Sequence, residues 1–160
     1  MVDRMEVTEL PPIVMVPVSA EQLSRLAAGE TLPGAVLGIA PTAELAATFG
    51  VLPGEQAEAA ALQLADVGGL TGAYLKGSRQ VVVASLVGRP VASEVANGLV
   101  VLDCLPAGDV TAFFTGPGDA TVAEQANGLS LDDAWELPGV QNLLAAEPLS
   151  WHDLSELVQL

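Results

Sequence analysis

Few residues in this chain of 160 could make or break bonds. His152 is the only histidine and Cys104 the only cysteine. Any Ser-His or Cys-His pair would rest on that one imidazole, and no Gly-x-Ser-x-Gly elbow is present to raise a serine. Zinc takes three or four ligands in a recognisable spacing, which one Cys and one His do not supply. Strand alternation along Leu99-Val100-Val101-Leu102-Asp103-Cys104 sets Cys104 on the face of Val100 and Leu102 and predicts a buried, inert thiol. A reactive thiolate would want a cation nearby, and residues 90–160 contain no Lys or Arg. The glycines of Gly68-Gly69-Leu70-Thr71-Gly72 run on to Lys76-Gly77-Ser78, the wrong order for a phosphate loop. In Gly116-Pro117-Gly118-Asp119 a proline stands where an anion nest would need an N–H. On these residues there is no catalytic group, metal ligand set or cofactor site to assign.

What remains is acid. Asp132, Asp133 and Glu136 fall within five residues, beside Trp135. Ser130 with Asp133 has the spacing of a helix start, where the macrodipole favours acids whatever the function. Calcium-loop spacing is absent. An aromatic with an acidic rim is also the composition of a protein-docking patch. Asp132, Asp133, Trp135 and Glu136 are therefore the candidate partner-binding residues.

The distribution of charge gives that reading its sign. The formal net charge is −15, and residues 90–160 carry eleven acids with no Lys or Arg. Such a surface repels nucleic-acid phosphates and anionic lipid, which excludes direct binding to either and leaves a basic protein as the expected partner. The leading expectation is a non-enzymatic interaction or regulatory domain. The alternatives are a small-ligand binder or enzyme with a pocket at a sheet edge, a nucleic-acid mimic, and charge that serves solubility alone.

These residues need a scaffold, and its elements can be read along the chain. Residues 1–12 end in Pro11-Pro12 and read as a flexible tail; residues 13–160 read as one domain. Ile13–Val18 is a strand-type apolar run, and Ser19 with Gln22 then opens a helix over 20–28 that Gly29 ends. Ala35–Ala40 is a second apolar run, followed by helices near Ala43–Phe49 and over Glu55–Val67, where the glycines from Gly68 should end or kink the chain. Gln80–Val87 is a central strand, Val91–Ala96 alternates weakly into the hairpin signal Asn97-Gly98, and Leu99–Leu105 and Val110–Thr115 follow as strands. Val82, Ala84, Val100 and Leu102 should be almost wholly buried. Asp119–Asn127 is a short helix, and Ser150 with Asp153 opens another, lined by Trp151, Leu154, Leu157 and Val158. The sum is an α/β fold with a mixed sheet of about five strands. It has a βα-type first half, an antiparallel meander near 80–115 and a helical C-terminal segment.

The order of these pieces resembles an uncharacterised family of small actinobacterial proteins. The likeness runs through Val16-Pro17, Ala40-Pro41-Thr42, Ala59-Ala60-Ala61-Leu62, Arg79-Gln80-Val81-Val82-Val83-Ala84, and Leu149-x-Trp151 with Glu156-Leu157. It covers roughly residues 13–160 and departs from the pattern at Gly68-Gly69-Leu70-Thr71. It implies a single-domain architecture and carries no activity. The lone cysteine, the acids Asp3, Glu6 and Glu9 where a secretory signal would be apolar, and the lack of any run of roughly 20 apolar residues point to the cytoplasm.

Overall fold

Val14–Pro17 (β1) is hydrophobic at every position because it becomes the middle strand of a sheet covered on both faces. The computed structural model describes residues 12–72 and 79–159. All but the last residue of the expected tail, and Lys76-Gly77-Ser78, lie outside the described residues. From β1 the chain enters α1 (Ala20–Ala27), started by the capping box of Ser19 and Gln22. It continues through β2 (Thr31–Leu32), β3 (Val36–Ile39), α2 (Ala43–Phe49) and α3 (Glu55–Leu70). The second half runs β4 (Arg79–Ala84), β5 (Arg89–Pro90), a 3-10 segment Ala92–Asn97, β6 (Leu99–Leu102), β7 (Leu105–Pro106) and β8 (Val110–Gly116). It closes with α4 (Ala120–Ala126), α5 (Leu131–Trp135), α6 (Pro138–Ala146), β9 (Ser150–Asp153) and a 3-10 segment Leu154–Gln159.

The main sheet has the order β5-β6-β3-β1-β4-β8-β9, and β2 pairs with β7 in a small second sheet. On one face Val14, Val16, Val82, Ala84, Val100, Leu102 and Phe113 pack beneath Leu23 and Leu26 of α1. On the other, Met15, Ile39 and Val81 meet α2 and the Ala-rich side of α3. A third cluster joins Val67 and Leu70 of α3 to α4, α5 and α6. The four residues expected at the centre are buried, none more than 4% exposed. No described helix is long and apolar enough to cross a membrane.

Several expectations need correction. The sheet is antiparallel at every described pairing rather than mixed, and it has seven strands rather than about five. The first half is not of parallel βα type, because α1 is followed by β2, which returns the chain so that β3 runs against β1. Residues 80–115 do not form a meander: β3, β1 and β4 lie between β6 and β8. Val91–Ala96 is not a strand but mostly the 3-10 segment, whose turns are closed by Glu94 N–H to Val91 O and Gly98 N–H to Val95 O. The reversal between β5 and β6 therefore spans residues 91–98 instead of a tight turn at Asn97-Gly98. The glycines do not stop α3, which runs through Gly68 and Gly69 to Leu70. Cys104 is exposed, because β6 ends at Leu102 and the alternation does not reach it.

Candidate functional site

The acidic candidates sit on α5, a short helix fastened by two features of its sequence. Ser130 Oγ accepts the Asp133 N–H at 3.1 Å, and Ala134 is buried against α3 and α6. With that side pinned, Trp135 meets Phe49 of α2 edge-on, ring centroids 5.3 Å apart and planes at 87°. Asn97, at the end of the 3-10 segment before β6, is buried and spends both amide hydrogens on acids. Its Nδ2 donates to Glu94 Oε1 at 2.9 Å and to Asp132 Oδ1 at 3.1 Å. Thr48 Oγ1 donates to Ala96 O, tying α2 to the same segment.

These contacts enclose a surface pocket of about 250 Å³ lined by Phe49, Leu64, Asn97, Asp132, Trp135 and Glu136, with Thr48 at its side. Three of the four sequence candidates, Asp132, Trp135 and Glu136, thus share one pocket. Asp133 does not line it; its N–H bonds to Ser130 at the helix start. Asn97, Phe49 and Leu64 were missed. Asn97-Gly98 carries a tight-turn signal, and nothing in local spacing links Asn97 to an acid 35 positions on.

No ion pair among the described residues compensates the charge around the pocket. The three cations among the described residues are each held by an acid: Arg25 by Glu30 at 2.9 Å, Arg79 by Asp66 at 2.7 Å and Arg89 by Asp103 at 2.7 Å. The Arg79–Asp66 pair is buried, and burial pushes the Asp66 carboxyl above its ordinary value while Arg79 draws it part of the way back.

His152 does not open a C-terminal helix. It lies on β9, half-buried, with its ring stacked on Phe113 at 4.9 Å between centroids. Thr115 Oγ1 lies 2.9 Å from its Nε2 and Glu156 Oε1 lies 3.0 Å from its Nδ1. Glu156 also accepts the Asp153 N–H, which takes that amide away from the cap expected of Ser150. The imidazole therefore staples the last 3-10 segment to β8 and β9. The hydrogen bond from His152, then that from Asp153, draws the Glu156 carboxyl below its ordinary 4.5. A carboxyl lowered in the folded state contributes stability above its ordinary value and loses it as pH falls through the lowered one. An NMR titration of the Glu156 side chain should give a midpoint below 4.5 that His152→Phe moves upward. A midpoint indifferent to that substitution would remove His152 as the cause.

Among the described residues, no group of three or more His, Cys, Asp or Glu is placed to hold a metal. Compared with protein families, curated proteins and solved structures, the chain matches none of them.

Proposed function

We propose that this is a non-enzymatic interaction or regulatory domain that docks a basic partner protein in the cytoplasm, through its acidic C-terminal half and without touching nucleic acid. The observation that carries this reading is the α5 pocket, where Asp132 and Glu136 flank the Phe49–Trp135 pair and no described cation neutralises them. A Lys or Arg side chain suits such a place. Its head meets carboxylates while its stem, or the face of a guanidinium, covers the aromatic rings. The eleven acids after Arg89 would steer its approach.

Such complementarity acts mainly on encounter. Once a partner is recovered by affinity capture, Asp132→Asn with Asp133→Asn and Glu136→Gln should lower its association rate about tenfold at low salt. Dissociation should change less. Near 1 M salt, where screening acts within roughly 3 Å, the difference should close. Association kinetics unchanged across the salt range, in a folded variant, would remove this surface from the account.

A second reading, as a small-ligand binder, draws on a cavity of about 400 Å³ lined by Gln22, Val36, Leu37, Ile39, Ala65 and Leu99, among others. That volume lies within the range of ligand pockets. Binding there would be nearly indifferent to salt, which separates the two readings.

A further inference from the structure

We propose that the outer edge of β9 is a strand-addition site for an extended, basic segment of a partner. The sheet has two edges, and they are built differently. β5 is two residues long and ends in Pro90, which has no N–H to offer, the usual way of closing an edge. β9 has four residues and contains neither proline nor lysine. It is paired with β8 on one side and with no described strand on the other; the Asp153 N–H already bonds Glu156 Oε2 at 3.2 Å, and an added strand that used this donor would displace that carboxylate. In β9 and at the start of the 3-10 segment that follows it are two exposed large apolar side chains, Trp151 at 61% and Leu154 at 40%.

The register says what would fit. Trp151 pairs with Phe114 and Asp153 with Ala112, so by alternation Trp151 and Asp153 share one face of the sheet. Ser150 and His152 share the other, where the imidazole is already engaged by Phe113, Thr115 and Glu156. An added antiparallel strand would set two of its own side chains, two positions apart, across from Trp151 and Asp153. An aliphatic or aromatic residue suits the first and a Lys or Arg the second. A second copy of this chain is disfavoured as the occupant, since it would bring another −15 to the interface. The main-chain ladder supplies the attraction and the face pair supplies the choice of sequence, as in other strand-addition modes.

This surface uses different residues from the α5 pocket, so the two can fail separately. Two eight-residue peptides repeating Val-Thr-Lys-Thr, which place Val and Lys two positions apart on one face, serve as probes, identical except that one is N-methylated at its central Lys and Val and cannot complete a ladder. The full chain should bind the unmethylated peptide with slowed amide exchange at residues 150–153, and bind the methylated one at least tenfold more weakly. Trp151→Ser and Asp153→Asn should each weaken the first complex, whereas the Asp132, Asp133 and Glu136 variant should leave it within twofold. Equal affinity for the two peptides, no binding of either, or binding without protection at 150–153 would overturn the proposal.

Discussion

Replacing Arg79 by Met should cost about 3–5 kcal/mol of stability, the range for breaking one side of a buried ion pair. Arg79 opens β4 with its side chain 2% exposed, and every one of its donor nitrogens is engaged. Nε bonds both Asp66 oxygens at 3.0 and 3.2 Å, one terminal nitrogen bonds Asp66 Oδ2 at 2.7 Å, and the other reaches Pro117 O at 3.2 Å and Glu147 O at 2.8 Å. One guanidinium thus joins α3, β4, the turn after β8 and the turn after α6. Methionine would fill much of the space while stranding a buried carboxylate and two carbonyls without donors. Adding Asp66→Leu should recover much of the loss, because the cost lies in the orphaned charge more than in the missing attraction. The pH dependence has a definite sign. Without Arg79 the Asp66 carboxyl rises further, so the single variant's deficit should shrink as pH falls and the folded protein takes up the proton. Urea unfolding of the single and double variants at two pH values measures all of this. A deficit under 1 kcal/mol, or one that ignores Asp66→Leu, would show that the fork is dispensable.

Gly98→Ala should be the next most damaging change, and Gly29→Ala is its control. Both glycines have positive φ, +70° and +86°, where a side chain costs roughly 1–2 kcal/mol. Around Gly29 there is open space. At Gly98 a Cβ would run into the carbonyl oxygen of Ala40 and come within 2.9 Å of Leu45 Cδ1, which is fully buried beneath the sheet. The same junction carries the bond from Ala40 N–H to Gly98 O at 2.8 Å, so the strand ends cannot part without losing it. Overpacking of this kind adds about 1–3 kcal/mol. Denaturant midpoints of the two variants should therefore differ clearly, with Gly98→Ala the worse; equal midpoints would show that the close approach is readily relieved.

The positions that were legible in the sequence are those where local chemistry and final packing agree. Ser19 and Gln22 form their box because both partners lie within one turn. Ala43–Phe49 is helical over the expected span, with Thr42 as its cap. Val82, Ala84, Val100 and Leu102 are buried because they occupy alternate, core-facing positions of apolar inner strands. Where the structure departs, a distant partner decided. Trp151 and Leu154 have helical spacing, yet Ser150–Asp153 pairs along β8 instead. Val91–Ala96 became mostly 3-10 helix, where Asn97 could reach Asp132 as well as Glu94. The pairing of Asp66 with Arg79 crosses 13 residues and left only one trace, a lone acid inside the apolar stretch Leu64-Ala65-Asp66-Val67. Of the acidic site, the α5 side was readable; the α2 and Asn97 side needed the tertiary fold.

The central position of β1 has a consequence for how the protein is made. Val14 pairs with Ala84, and Val16 with Val82. The first described strand thus waits for one synthesised much later, and the sheet is rich in such long-range pairings. High contact order of this kind slows folding. At translation rates of about 5–20 residues per second, the apolar Val14-Met15-Val16 run stays without that partner for roughly 3–13 s after it is made. Strands exposed over such an interval are the ones that find the wrong neighbour, commonly the same strand on an adjacent nascent chain. When β4 has been made the chain holds nine acids against four basic residues, and eleven further acids follow Arg89, so most of the repulsion of the finished −15 arrives only after the interval in which β1 lacks its partner.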